Sequence, residues 1–305
     1  MKGIVCALGF VLVLCQHTPA GESQAQSDVA GRLVNIGEHR LFLSCSGASG
    51  SGPTVVMEAG GGGTSAEWSA VRERLAPDVR ACAYDRAGVG QSDPGPAPRT
   101  MHQEVFELHA LLQAAKERPP FLLVGQSIGG LLVRLYAAAH PADVVGLVLV
   151  DPTHESAVLG SLRYGGWVRL REKATGLSVP EPRLTIRGGP PENPAADYMA
   201  EEFQQLFIAR QRIPQALGER PLIVLAAGKR PAPPPGTSDE LWKTLRDERD
   251  EQVRDLVGLS TNAAYIRDDA SGHNLHRDNP ALVAQSIRVV RDAAIRGARL
   301  ATAKP

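Results

Sequence analysis

The chain has 305 residues, of which 43% are hydrophobic and 22% are charged, so it can bury a sizeable core as one large or two small domains. Its 33 basic residues balance its 33 acidic residues, and neither sign is concentrated in a tail. This balance argues against a nucleic-acid-binding surface and weakly favours a small molecule as the ligand.

The N-terminal segment differs in composition from the rest of the chain. A positively charged start precedes an apolar run from Gly3 to Cys15, and small and polar residues follow. This pattern is typical of a secretory signal peptide, and the run is too short to span a bilayer comfortably. We therefore predict a signal peptide over residues 1–25, cleaved after Ala20 or Ala25, and a periplasmic or secreted protein. A lipid anchor is less favoured because Leu14 is large for the position before a lipidated cysteine, and membrane contact is expected only with such an anchor.

Beyond the signal, strand patterns alternate with amphipathic helix patterns. Predicted strands cover a hairpin at 33–45, then 54–58, 79–84, 121–124, 144–150, 221–227 and 263–266. Predicted helices cover 65–75, 102–116, 130–140, 239–256 and 280–296. This alternation predicts a mostly parallel α/β sheet covered by helices on both faces. Residues 153–214 have helical pieces and several prolines instead, which predicts a cap inserted between core segments 26–152 and 215–305.

A serine lies in a sharp turn between a predicted strand and a predicted helix. Residues 125–129 read Gly-Gln-Ser-Ile-Gly, directly after an apolar strand. This arrangement is a nucleophile elbow, in which a strained turn exposes the hydroxyl of Ser127 above the sheet. Glycine is expected at 125 and 129 because a Cβ atom there would clash with the neighbouring strand and helix.

A serine hydroxyl needs a positioned base to act as a nucleophile near pH 7. His273 lies in a Ser-Gly-His-Asn turn after the last predicted strand and before the last predicted helix, so we predict that it is the base. His276 is expected to be a packing or surface residue. No carboxylate or cysteine cluster accompanies the two histidines, so no metal site is predicted.

Three carboxylates are candidates for the acid that orients the histidine. Asp151 ends the strand after the nucleophile helix and so lies on the same edge of the sheet as Ser127. Asp239 follows the next strand, but Thr237 and Glu240 are spaced as a capping box that gives it a structural role. Glu155 is on the same loop as Asp151. Asp151 is favoured, and the other two remain alternatives.

Acyl transfer also needs hydrogen-bond donors for the oxyanion. The N–H of Ile128 follows the nucleophile at a helix N-terminus and is one candidate. Four glycines at 60–63 follow an apolar strand, and Gly61 is predicted to supply the second donor.

The order of glycine loop, serine, acid and histidine on alternating strands and helices resembles the α/β-hydrolase superfamily, from Leu33 to about Arg296. Residues 84–92 are similar to the family's Asp-x-Arg-Gly-x-Gly-x-Ser loop, with Ala87 in place of the usual glycine. Glu58-Ala59 stands where many members have His-Gly. The resemblance implies an α/β-hydrolase fold, with a mostly parallel twisted sheet flanked by helices and a helical cap insertion.

The resemblance also bears on the acid and on the cysteines. Many members carry their acid in a Gly-x-x-Asp pattern after the strand predicted at 221–227, but residues 228–231 read Gly-Lys-Arg-Pro here. This departure favours Asp151, because some members carry their acid there. The family's strand order makes neighbours of the strands that carry Cys45 and Cys82, so a disulfide is expected between them if their side chains face the same way.

These inferences together predict an exported serine hydrolase that cleaves a small-molecule carboxylic ester through an acyl-enzyme, with no cofactor. The ester is implied by the resemblance alone, because the same triad cleaves amides and lactones and supports perhydrolase chemistry. An aminopeptidase would need an acidic pocket, for which Glu181 or Glu201 and Glu202 are candidates. A non-catalytic ligand-binding protein of the same fold is a further alternative. The particular substrate and the oligomeric state are left open.

Overall fold

The computed structural model describes residues 31–48, 50, 52–157, 199–233 and 237–300. The predicted signal peptide, the candidate Glu181 and most of the predicted cap lie outside these residues. None of the described helices is long and apolar enough to cross a membrane.

Eight described strands form one twisted sheet in the order β1-β2-β4-β3-β5-β6-β7-β8. Their bounds are β1 Arg32–Asn35, β2 Arg40–Ser46, β3 Thr54–Glu58, β4 Ala81–Tyr84, β5 Phe121–Gln126, β6 Val144–Val150, β7 Leu222–Ala227 and β8 Ala263–Asp268. Strand β2 is antiparallel to β1 and β4, and every other neighbouring pair is parallel. The predicted α/β-hydrolase fold class is therefore confirmed.

The helices lie between the strands as the alternation predicted. Their bounds are α1 Ser69–Leu75, α2 Met101–Ala114, α3 Gly129–Ala139, α4 Met199–Arg212, α5 Asp239–Asp255, α6 Leu275–Asp278 and α7 Pro280–Arg296. The predicted helix at 65–75 begins with a short 3-10 turn over Ser65–Trp68. The capping box predicted for α5 is wrong by one residue, because the side chain of Ser238, and not that of Thr237, accepts a hydrogen bond from the Leu241 N–H at 3.3 Å.

Two apolar layers cover the two faces of the sheet. Successive residues of a strand point to opposite faces, and Val56 accordingly packs in one layer while Val55 and Met57 pack in the other. Helices α2 and α3 contribute to the first layer, and α1 and α7 to the second. Burial on both faces explains why the central strands are almost continuously apolar.

The two cysteines of the described chain form a disulfide. Cys45 and Cys82 lie directly opposite each other on the antiparallel strands β2 and β4, with their Cα atoms 4.0 Å apart. The expected pairing is therefore confirmed. The bridge joins residues 37 positions apart and ties the strand pair at one end of the sheet.

Candidate active site

The carboxyl ends of the parallel strands bring the candidate residues to one edge of the sheet. Ser127 directly follows β5, Asp151 directly follows β6, and His273 lies in the turn after β8. Parallel strands end at the same edge, and this is where ligands bind in open α/β sheets. Residues separated by as many as 146 positions therefore meet in space.

The turn that carries Ser127 has the strained geometry of a nucleophile elbow. Ser127 has a φ of 53°, in the left-handed region that few residues with a side chain adopt. A Cβ atom on Gly125 would lie 2.4 Å from the Gly129 carbonyl oxygen, and one on Gly129 would lie 2.6 Å from the Ala59 oxygen. Both positions therefore require glycine, for the steric reason that the sequence suggested.

A chain of hydrogen bonds joins the serine, the histidine and one of the three candidate acids. His273 Nε2 lies 3.0 Å from Ser127 Oγ, and His273 Nδ1 lies 2.6 Å from Asp151 Oδ2. Because an ionised carboxylate can only accept, the Nδ1 proton is donated to Asp151, which leaves Nε2 free to accept the serine proton. The imidazole is thus held in the tautomer that a general base needs.

Asp151 is buried and remains ionised. Burial opposes its ionisation, but the hydrogen bond from His273 and the charge of Arg249 hold the pKa of the carboxyl below its ordinary value. Arg249 Nη2 lies 3.4 Å from Oδ2, and the backbone N–H of Ala227 donates to Oδ1 at 3.1 Å. The structure thus places a buried negative charge within hydrogen-bonding distance of the His273 ring.

The two alternative acids lie in other environments. Glu155 is buried against Arg134, whose Nη1 donates to it at 2.7 Å, and Arg210 lies 3.8 Å away on α4. Asp239 is the first residue of helix α5. The structure therefore brings neither side chain into the hydrogen-bonded chain of Ser127 and His273.

Two backbone N–H groups border the space in front of Ser127. Ile128 is the N-cap of α3, where the helix dipole favours negative charge. Gly61 follows Gly60, and a Cβ atom on Gly60 would lie 3.3 Å from the Ser127 Cβ. Among the described residues, neither the Gly61 nor the Ile128 N–H donates a hydrogen bond, so both are available to a ligand.

A cavity of about 630 Å³ opens beside these donors. Its lining includes residues of glycine-containing loops and three charged side chains. These are Gly61, Gly88 and Ile128, and Arg86, Arg99 and Glu104. The Arg99 guanidinium is bound by both carboxylate oxygens of Glu107, at 2.5 and 2.7 Å. Glu202, a candidate for an acidic pocket that binds an amine, is buried and accepts a hydrogen bond from the Met101 N–H at 2.6 Å.

Two residues near the base were not singled out from the sequence. The Gln126 side chain donates to the His273 carbonyl oxygen at 3.0 Å and so ties the histidine turn to the end of β5. Arg249 lies on the highly charged helix α5, where nothing in the sequence distinguishes it from the neighbouring arginines. The sequence could have indicated Gln126, because it is next to Ser127, but it contains no feature that indicates Arg249.

Two side-chain groups among the described residues have the composition of a metal site. The first contains Cys45 and Cys82, which are already bonded to each other. The second contains His109, His140 and Asp143, but the two imidazole rings are stacked 3.8 Å apart and only 3° from parallel. Lone pairs in parallel ring planes do not converge on one point, so a ring would have to turn before both could bind an ion.

The comparisons with known proteins agree with this architecture. Residues 53–175 match the family model described as the alpha/beta hydrolase fold. The uncharacterized protein YqjL of Bacillus subtilis strain 168 is 29% identical over 233 residues, which cover 76% of this chain and 81% of that protein. A human monoacylglycerol lipase is 26% identical over 191 residues, covering 61% of this chain and 53% of the lipase.

A solved structure shows the same fold at lower sequence identity. Alpha/beta hydrolase domain-containing protein 10 from mouse superposes with a TM-score of 0.62 over 86% of this chain and 98% of that one, at 20% identity. The strand order, the strained serine turn and these matches agree. The chain therefore has the α/β-hydrolase fold, and part of it matches that family's model.

Proposed function

We propose that this protein is an exported serine hydrolase that cleaves a small-molecule carboxylic ester. The observation that carries the proposal is the hydrogen-bonded chain from Ser127 Oγ through His273 to the buried Asp151, with distances of 3.0 and 2.6 Å. The relative that is a monoacylglycerol lipase supports an ester as the substrate class. The 630 Å³ cavity beside Gly61 and Ile128 has the volume of a small-molecule site.

The reaction follows from the placement of these groups. His273 Nε2 takes the hydroxyl proton as Ser127 Oγ attacks the ester carbon, and Asp151 stabilises the resulting imidazolium. The Gly61 and Ile128 N–H groups hold the oxyanion of the tetrahedral intermediate. His273 then gives its proton to the leaving alcohol, and water, activated by the same histidine, hydrolyses the acyl-enzyme. The mechanism uses no cofactor.

Export is supported by two features. The predicted signal peptide at 1–25 precedes the hydrolase core, and the disulfide between Cys45 and Cys82 is compatible with an oxidising compartment. N-terminal sequencing of protein recovered from the periplasm or medium tests this part of the proposal. A mature chain that begins after Ala20 or Ala25 is expected, and an intact Met1 in cytoplasmic protein only would contradict it.

Fluorophosphonate labelling tests the proposed nucleophile directly. Peptide mapping of the labelled protein is expected to locate the probe on Ser127, and Ser127→Ala is expected to abolish both labelling and the hydrolysis of an activated ester. Ser286→Ala is the matched control, because this buried serine only donates to the Leu282 carbonyl within helix α7. Undiminished hydrolysis by Ser127→Ala would exclude this mechanism.

A further inference from the structure

A buried group of polar side chains lies beneath the glycine loop, and the mechanism above does not use it. Arg86 Nη1 donates to Glu58 Oε1, and the Tyr84 hydroxyl donates to Glu58 Oε2. Glu58 is the last residue of β3, directly before the loop, and all three side chains are less than a tenth exposed. Burying an ion pair costs free energy unless its geometry and hydrogen bonds compensate. We therefore looked for a function of this group beyond stability.

The same guanidinium also binds the loop backbone. Arg86 Nη1 donates to the Ala59 carbonyl oxygen at 2.8 Å, and Nη2 donates to the Gly60 carbonyl oxygen. The Gly63 N–H donates to the same Gly60 oxygen at 3.2 Å. Two consecutive carbonyl groups are therefore held by one rigid, planar side chain, a task for which lysine has the wrong shape.

The direction of the Gly60 carbonyl determines the direction of the next N–H. The Gly60–Gly61 peptide bond is not among the cis bonds of the described chain. In a planar trans peptide the C=O and the following N–H point in opposite directions. Because Gly60 O points at Arg86, the Gly61 N–H points away from it, on the loop that passes beside Ser127.

We propose that Arg86, itself held by Glu58, is a positioning residue that aims the Gly61 N–H at the oxyanion formed on Ser127. This inference rests on the proposed function. It also accounts for Glu58-Ala59, where many family members have His-Gly, since the glutamate supplies the carboxylate that fixes the arginine. The Asp-Arg-Ala-Gly segment at 85–88 then contributes to the site through Arg86 and not only as a turn.

The electrostatics of the pair agree with this role. Burial by itself lowers the pKa of Arg86, but the charges of Glu58 and Glu104 raise it above its ordinary value, so the guanidinium stays charged. Burial raises the pKa of Glu58, and the charge of Arg86 opposes that rise. Each partner thus limits the cost of the other's burial, and loss of either loosens both.

The experiment compares Arg86→Lys, Glu58→Gln and a control, Arg220→Lys, with the wild-type protein. Arg220 is the matched control because it also donates to backbone carbonyl groups, those of Pro141, Val144 and Leu217. These contacts lie at the opposite edge of the sheet, where strand β6 begins. Loss of one oxyanion donor typically lowers kcat by a factor of about 10² to 10³. We expect a loss on the order of 100-fold in kcat and in the fluorophosphonate labelling rate for Arg86→Lys, with KM nearly unchanged.

Glu58→Gln should show a smaller loss than Arg86→Lys, because the amide oxygen still accepts from Arg86. Arg220→Lys should react at the wild-type rate. Melting temperatures and the final extent of labelling give the fraction of each protein that is folded. Each rate is then expressed per folded molecule. If Arg86 had a purely structural role, Arg86→Lys would lower the melting temperature and the extent of labelling but leave the corrected kcat unchanged. That result would overturn the proposal.

A second measurement separates this inference from the proposed function. If wild-type protein itself fails to label at Ser127, the proposed function fails. The orientation of the Gly61 N–H is then read from residual dipolar couplings of selectively ¹⁵N-glycine-labelled protein. A coupling that changes in Arg86→Lys but not in Arg220→Lys would uphold the positioning role on the loop, and identical couplings in all three proteins would refute it.

Discussion

The buried histidine next to the candidate active site should make the protein less stable in acid. His276 is fully buried, with its ring centroid 4.6 Å from that of Trp68 and its Nε2 3.5 Å from a Glu67 carboxylate oxygen. Burial, with the nearby charge of Arg277, lowers the pKa of His276 from 6.5 to about 4. The folded protein therefore keeps this imidazole neutral, whereas the unfolded chain protonates it readily.

The sign and size of the effect follow from proton linkage. The unfolded state binds the extra proton between pH 6.5 and about 4, so stability is complete above pH 6.5 and falls as the pH decreases through that window. Each unit of pKa difference corresponds to about 1.36 kcal/mol. From pH 7 to pH 5, His276 alone should reduce the free energy of unfolding by about 2 kcal/mol.

Urea unfolding at pH 5, 6 and 7 measures this contribution. Other carboxylates also respond to pH, so the informative quantity is the difference in pH dependence between wild type and His276→Gln, which carries no titratable group at that position. The variant should lose about 2 kcal/mol less than wild type between pH 7 and 5. His276→Phe, which preserves an aromatic contact with Trp68, should behave in the same way. If the free energy of unfolding changed with pH by the same amount in all three proteins, the reasoning would be refuted.

Three further changes test other parts of the structure. Asp151→Asn should lower kcat by about 10³- to 10⁴-fold at pH 7, because the imidazole loses its orienting charge, and steady-state ester hydrolysis measures the loss. Replacing Cys45 and Cys82 by serine should cost about 4 kcal/mol of unfolding free energy in urea, given the 37-residue separation, and reduced wild-type protein of unchanged stability would contradict this. Gly125→Ala should prevent formation of the serine turn, because its Cβ would lie 2.4 Å from the Gly129 oxygen; soluble, wild-type-like labelling would argue against that clash.

Local patterns in the sequence were sufficient for the elements and for the position of the candidate nucleophile. The apolar run at 144–150 and the alternating hairpin predicted strands because backbone geometry and side-chain periodicity act over a few residues. The glycines at 125 and 129 predicted a strained turn for the same reason. The end of the strand that precedes Ser127 was predicted at residue 124, two residues before its observed end at Gln126.

Only the tertiary structure could choose among the three candidate acids and reveal the support around them. Asp151, Asp239 and Glu155 all follow strands or lie on suitable loops, and sequence spacing does not report which carboxylate lies 2.6 Å from His273. The contacts of Arg249 with Asp151 and of Arg86 with Gly60 join residues 98 and 26 positions apart. Such contacts depend on strand order and register, which are set by packing over the whole sheet and not by any local segment of the chain.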